Sequence, residues 1–314
     1  TGPFKWGERR PGDYIRLDAN ERYHGEGPYL ERIVFKYIPD QTVLKTQFVA
    51  GAIDAVGLAG ITPDHHEEVR RTRGITLRVA PTSFLTSFAF NNGIPVFQDP
   101  AVRRALYLAF DKQTINRDLF YGFDRPTESY LPQENWAYNG SLPAHRFDMA
   151  EAARVLDQAG WRRGAGGVRE KNGVRLAFSC STVVGSHLRE QMQQFLQQMW
   201  QPLGVQMTIR NFPAAVMWGD FWRLSQFEST IVGAVYPLAG DPDVSDRLGS
   251  WAIPVRAGSG ANQIQYANAE ADTLLRESVS LLDREQRKRN YQRVQELVRN
   301  DLPFLPLVQQ NTAE

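Results

Sequence analysis

The sequence predicts an α/β protein of about two domains, and three observations carry that reading. A chain of 314 residues exceeds what one ordinary hydrophobic core encloses. Up to about Phe84, short apolar runs alternate with polar residues. After about Leu85, helix patterns lengthen and strand-like runs fall between them, which is the texture of layered helices and strands.

The elements follow in chain order. Tyr14-Ile15-Arg16-Leu17, Ile33-Val34-Phe35-Lys36-Tyr37-Ile38 and Ile75-Thr76-Leu77-Arg78-Val79 carry the period of two expected of strands. Between them, Thr42 to Ala50 sets Val43, Leu44, Phe48 and Val49 at helical spacing and stops at Gly51, a residue suited to the left-handed end of a helix. Leu85 to Asn91 predicts a strand. Asp99-Pro100 then places a capping side chain before a proline at the first helical position, and Val102, Leu106, Ala109 and Phe110 share one face. Asp148 with Glu151 forms a capping-box-like start, and the helix through Ala153, Val155 and Leu156 ends at Gly160. Gly164 to Gly173 reads as a surface turn and hairpin. Strands are expected at Leu176 to Ser181, Val205 to Arg210 and Ser229 to Ala234. A helix from Ser186 to Leu203 carries Leu188, Met192, Phe195, Leu196, Met199 and Trp200 as a stripe and closes at Gly204. Another is expected near Pro213 to Gln226. Asn268 opens a helix carrying Ala271, Leu274, Leu275 and Val279, and Asp283 opens one carrying Tyr291, Val294, Leu297 and Val298.

Composition excludes several function classes. Lys plus Arg is 36 against 35 for Asp plus Glu, a formal charge of +1, so no basic excess attracts a phosphate backbone and no nucleic-acid partner is expected. No apolar run approaches the roughly 18 residues of a membrane-spanning helix. Cys180 is the single cysteine, which excludes an internal disulfide framework and a cysteine-based zinc site. His24, His65, His66, His145 and His187 form no His-Glu-x-x-His pattern and flank no Gly-x-Ser-x-Gly nucleophile elbow. Asp64-His65-His66-Glu67-Glu68 reads as a charged helix start, because adjacent histidines point to different sides of any regular element. No metal, cofactor or catalytic residue is expected.

Ordered motifs span the chain. Phe90-Asn91-Asn92 leads to Phe97-Gln98-Asp99-Pro100-Ala101-Val102-Arg103-Arg104-Ala105-Leu106, and Phe147-Asp148-Met149-Ala150-Glu151-Ala152 leads to Ala159-Gly160-Trp161. Tyr266-Ala267-Asn268-Ala269-Glu270-Ala271-Asp272 and Asp301-Leu302-Pro303-Phe304-Leu305-Pro306-Leu307 follow. Together they resemble the extracellular solute-binding proteins, family 5, of bacterial ABC importers, which take up peptides, nickel and related solutes. The resemblance implies a periplasmic binding protein-like α/β fold of the large peptide-binding subclass (type II). Residues 1–84 would be a partial first lobe, residues 85–300 a complete α/β lobe and residues 301–314 a segment returning toward the first. Thr1-Gly2-Pro3-Phe4-Lys5-Trp6 resembles a mid-chain stretch of that family, so a C-terminal fragment is expected, with weak solute binding of its own or none. The implied function is capture of a peptide-like or other small solute between hinged lobes and delivery to a membrane permease. The protein would be monomeric and periplasmic, exported by a signal outside these residues. The alternatives are a sensing domain of the same fold fused to a DNA-binding regulator, and a hydrolase.

The capping and Ala-Gly-Trp motifs have complete structural roles, so binding residues must lie elsewhere. In peptide-binding members of the family a carboxylate three residues before an Asp-Pro pairs with the peptide's amino group, since a buried ammonium needs a charged partner. Here the Asp-Pro is Asp241-Pro242 and the position is Leu238, so the resemblance implies that this anchor is missing. Arg223 stands where peptide binders carry an arginine and could pair with a solute carboxylate, or could be a solvated helix-face residue. Trp218 and Trp222, with Phe221 and Phe227, and then Tyr236 and Trp251, crowd the region where aromatic rings would line a cleft, although core packing explains rings four apart equally well. Asn91 and Asn92, at the end of the first strand of the second region, could donate to a ligand or begin a turn.

Overall fold

The computed structural model describes residues 2–57 and 60–313. Two compact units emerge, residues 1–79 with 312–314 and residues 80–311. The division between the units, after Val79, and the boundary expected at residue 84 both fall within the strand Val79–Phe90.

The first unit is built on three antiparallel strands in the order β1 (Phe4–Arg10), β2 (Tyr14–Ala19), β3 (Arg32–Lys36). Gly12, at φ 78°, makes the tight turn from β1 to β2, a conformation that residues with a Cβ resist. Phe4 pairs with Ala19 and Tyr14 with Lys36. A helix, Gln41–Val49, starts where the Asp40 carboxylate accepts from the Val43 amide at 2.8 Å. A second, Pro63–Arg71, contains the Asp64-His65-His66-Glu67-Glu68 run as a charged helix start. The strand expected at Ile75 to Val79 is not formed: residues 75–78 are irregular, and the next strand opens at Val79. Alternation alone does not make a strand without a neighbour to pair with, and none of the ladders among the described residues includes 75–78.

The second unit holds a six-stranded sheet, β10-β9-β11-β4-β12-β5, from β4 (Val79–Phe90), β5 (Arg125–Pro126), β9 (Ala177–Ser181), β10 (Gln206–Ile209), β11 (Ser229–Val235) and β12 (Phe304–Ala313). A small side sheet joins β6 (Arg162–Arg163), β7 (Arg169–Lys171) and β8 (Val174–Arg175). The Asn172-Gly173 turn of its hairpin takes positive φ at both residues, as a two-residue turn between twisted strands requires. β10 and β11 run parallel to β9, whereas β11 and β4 are antiparallel, from Ser229 opposite Phe90 to Val235 opposite Phe84.

That register decides the layers, because alternate residues of a strand point to opposite faces. Phe88, Phe90 and Ile231 face one core, with Val102 and Leu106 of helix Pro100–Leu108, Leu156 of helix Met149–Gln158, and Met192, Leu196 and Trp200 of helix His187–Trp200. Trp200 meets Phe88 edge-on with ring centroids 5.0 Å apart, and its indole N–H donates to the Ala109 carbonyl at 3.1 Å. Ala89 and Val232 face the other core, with Ala271 and Leu275 of helix Ala269–Ser280 and Tyr291, Val294 and Val298 of helix Arg284–Asp301. Val279 does not join them and is 61% exposed; the helix presents Ala271, Leu275 and Ser278 inward instead, a stripe that leaves Val279 on the outer face.

Caps foreseen in the sequence are formed. Asp99 accepts from Ala101 N at 2.9 Å and Asp148 from Glu151 N at 2.9 Å. Asp99 also takes the Trp161 indole at 3.0 Å and Lys171 at 2.7 Å, so one carboxylate joins a helix start to the Ala-Gly-Trp stop. Three buried or partly buried charges are grouped: Lys112 and Arg299 both donate to Glu128, at 2.8 and 3.1 Å, and Tyr107 donates its hydroxyl to the same carboxylate. Burial still draws Lys112 down to about 8 against the pull of Glu128.

Among the described residues no cation pairs with Asp124. It accepts the Asn311 amide at 2.9 Å, and burial raises its carboxyl to about 6. A raised acid keeps its proton better folded than unfolded, so its ionisation weakens the fold as pH climbs from about 4 to 6. Asp124→Asn is expected to stabilise the protein at pH 7.5 by at most about 3 kcal/mol, at about 1.4 kcal/mol per pH unit, and to lose that advantage near pH 4. Urea unfolding at the two pH values measures it; an equal difference at both would show that charge is not the cause.

Candidate functional site

A pocket of about 60 Å³ opens on the face of the second unit's sheet that carries Ala89 and Val232. Its floor is Ser87 and Ala89 of β4 beside Val232 and Ala234 of β11. The strand register sets Ser87 opposite Val232, and three of the four side chains are small, so the sheet surface is left open there. On the reverse face Phe84 lies against Gly233, where any added Cβ would fall 1.8 Å from its ring. Gly233 therefore permits the close packing behind the floor.

Aromatic side chains form the walls. Trp222 and Tyr236 line the pocket. Trp222 stacks on Phe227 at 5.0 Å and 16° and meets Trp218 edge-on at 5.9 Å. The segment carrying these rings is not the regular helix expected from Pro213 to Gln226: a short turn at Ala214–Val216 widens through Met217–Phe221, Gly219 leaves helical geometry, and Ser225 takes φ 53°. Tyr236 is fixed by its amide, which donates to Ser83 O at 2.9 Å, and by the Tyr130 ring at 5.9 Å. Burial pushes the Tyr236 hydroxyl above its ordinary range. The Arg247 guanidinium stands 5.3 Å from the Tyr236 ring centre, and Gln263, Ile264 and Phe304 complete the rim.

Asn91 and Asn92 hold this arrangement together from beneath. The Asn91 amide donates to Ser225 O at 2.8 Å and Phe227 O at 2.9 Å, and its carbonyl accepts from Gly93 N at 3.0 Å and from the Gln265 amide at 2.8 Å. Those four bonds use its whole hydrogen-bonding capacity. Asn92 donates to Ile264 O at 2.8 Å and Pro303 O at 3.1 Å. Both residues therefore position the Trp222 segment, the Ile264 rim and the start of β12, with their amides already engaged by the chain.

Of the residues the sequence put forward, the structure brings Trp222 and Tyr236 to the pocket, with Trp218 behind Trp222. Arg223 is directed elsewhere: it is 67% exposed and pairs with Asp220 at 2.9 Å, the solvated helix-face arrangement. Trp251 is separate too. Its ring lies under the Arg276 guanidinium at 4.1 Å and packs over Gly249. Leu238 is half-buried in a turn outside the pocket lining. That turn is pinned by Asn135 donating to Pro237 O at 2.9 Å, by the Trp136 indole donating to Gly240 O at 3.2 Å, and by Asp241 pairing with Arg287 at 2.7 Å. Asp243 accepts the Ser245 amide at 3.0 Å. Arg247, Gln263 and the small floor residues escaped the sequence reading. Ser87, Ala89 and Ala234 were legible as small residues on one face of two expected strands, whereas nothing local marks Arg247 or Gln263.

Asn91→Ala is expected to lower stability by about 2–3 kcal/mol, because two buried carbonyls lose their donor. Arg223→Ala should leave the unfolding midpoint unchanged within error, since exposed pairs contribute little. Denaturant unfolding of the two variants side by side checks both.

Among the described residues no helix is long and apolar enough to cross a membrane. The chain is 28% identical over 313 residues to the oligopeptide-binding protein AppA of Bacillus subtilis, covering 97% of this chain and 55% of that protein. It is 28% identical over 213 residues to the nickel-binding periplasmic protein of Escherichia coli, covering 67% of this chain and 40% of that one. The chain thus spans about half the length of the curated relatives it matches. The crystal structure of AppA from Bacillus subtilis with a nonapeptide superposes with a TM-score of 0.85 at 25% identity, covering 99% of this chain and 61% of that one. NikZ from Campylobacter jejuni with Ni(L-His) shares the fold, with a TM-score of 0.86 at 24% identity, covering 100% of this chain and 62% of that one. The model of the bacterial extracellular solute-binding proteins, family 5 (middle), matches residues 1–250, and the chain belongs to that family.

Proposed function

We propose that this protein captures a peptide-like or other small organic solute in the periplasm and hands it, as a monomer, to the permease of an ABC importer. The observation that carries the reading is an aromatic-walled pocket in a chain that belongs to a solute-binding family. Its chemistry suits holding rather than transforming. Trp222 and Tyr236 offer flat contact area with little rotamer loss, and the lining contains no histidine or carboxylate to act as a general base. Relatives are named for oligopeptides and for nickel. Among the described residues no group of three His, Cys, Asp or Glu side chains is placed to hold a metal ion.

Thermal-shift and saturation-transfer NMR screens against peptides, oligosaccharides, nickel chelates and opines test the proposal. A solute that binds only the folded form raises apparent stability with the logarithm of its concentration over its dissociation constant. One class is expected to do so with the full-length protein, and no response from any class at millimolar concentration would count against the reading. A further expectation concerns the amino terminus. Leu238 offers no counter-charge, and Asp241 and Asp243 are already engaged. A peptide and its N-acetylated form should therefore give equal shifts, whereas a strong preference for the free amine would show that another carboxylate serves as the anchor.

A further inference from the structure

We propose that Arg247 makes the pocket a receptor for a carboxylate, so that the part of the solute entering it is an anion. This rests on the solute-capture reading above and names the chemistry that the pocket selects.

Three polar side chains converge on otherwise apolar walls: Arg247, Gln263 and Ser87. Arg247 is half-buried as a residue, yet among the described residues no carboxylate or carbonyl accepts from its guanidinium, whose close contact is the Tyr236 ring at 5.3 Å. Acidic groups on the surrounding elements are engaged elsewhere or turned to solvent. Asp241 pairs with Arg287, Asp243 receives the Ser245 amide, Asp272 receives the amide and hydroxyl of Ser250, and Asp246 is exposed. The Gln263 amide and the Ser87 hydroxyl likewise have no side-chain hydrogen bond within the described chain.

A guanidinium given only a ring contact within the chain keeps its N–H donors free for an incoming acceptor. A carboxylate supplies them in the two-pronged geometry that fits arginine best. Gln263 and Ser87 can then donate to the same oxygens, with Tyr236 and Trp222 shielding the pair. The size agrees. About 60 Å³ accommodates about four or five water positions, enough for a carboxylate with one or two methylenes and too little for a whole peptide. The pocket therefore takes one acidic side chain or a terminal carboxylate.

Three blocked peptides discriminate the possibilities: N-acetyl-Ala-Glu-Ala-amide, N-acetyl-Ala-Gln-Ala-amide, and N-acetyl-Ala-Gln-Ala with a free terminal carboxylate. Calorimetry backed by saturation-transfer NMR would be run on the protein and on Arg247→Gln and Arg247→Lys. At least one carboxylate peptide is expected to bind tenfold or more tightly than the neutral one, and which of the two does so identifies a side-chain or a terminal anion. Arg247→Gln should erase that preference without shifting the unfolding midpoint, and Arg247→Lys should keep part of it. Equal binding of all three peptides by the unsubstituted protein would overturn the role of Arg247 and leave solute capture standing. A preference that survives Arg247→Gln would overturn it as well. Binding of none of them would overturn the role of Arg247 and leave solute capture to the wider screen.

Discussion

Burial of both faces of the β4–β11 pair is the constraint on which the rest of the second unit depends. Phe88, Phe90 and Ile231 must go to one core and Ala89 and Val232 to the other. A slip of one residue would exchange the two sets, driving phenylalanine into a layer fitted to alanine and serine. The helices on each side follow from that partition. Trp200 needs the Phe88 edge, and Tyr291 and Val294 need the shallow surface over Ala89. The pocket is a consequence of the same rule, since it opens where the register sets small residues side by side and no helix fills the gap.

Polar groups convert this layered core into a positioned site. Asn91 and Asn92, at the end of β4, reach main-chain atoms at Ser225, Phe227, Ile264 and Pro303, which lie far apart in sequence. The Ile264 carbonyl also accepts the Asn92 main-chain amide, whereas the Ser225 and Phe227 carbonyls take their donor from the Asn91 side chain, so losing that donor is costly. The walls of the pocket are thus held by the strand beneath it. Lys112, Glu128 and Arg299 play a comparable part on the other segments, bringing the chain near residue 128 onto helix Arg284–Asp301.

How much was legible in the sequence follows from how local each signal is. Asp99, Asp148, Asn268 and Asp283 cap helices as read, because a cap is a matter of four or five consecutive residues. Strands near Leu176, Val205 and Ser229 were legible for the same reason. Ile75 to Val79 misled because pairing, which alternation cannot supply, decides a strand. Asn91 and Asn92 were recognisable as special, but their task of joining distant carbonyls is written only in three dimensions. Arg223 and Trp251 have the composition of binding residues and were drawn off by Asp220 and Arg276 respectively, pairings that family resemblance does not reveal. Arg247 had no local mark at all, and its importance comes from the acceptors that its neighbours withhold.

The turn from Tyr236 to Asp243 shows why the polarity of an anchor can change while the scaffold stays. Asn135, Trp136 and Arg287 fix the turn through Pro237 O, Gly240 O and the Asp241 carboxylate, and none of these bonds involves the side chain at 238. A leucine there removes a counter-charge for an ammonium without disturbing any of them. Arg247 lies beyond the turn and stands over Tyr236, whose amide is held by Ser83 on β4. Bonds with Asn135, Trp136, Arg287 and Ser83 thus set the geometry without the side chains at 238 and 247, which the proposal above makes the exchangeable ones. Separating framework from charge in this way lets one fold serve solutes of opposite polarity, because the desolvation cost of a buried ion is met residue by residue and not by the architecture.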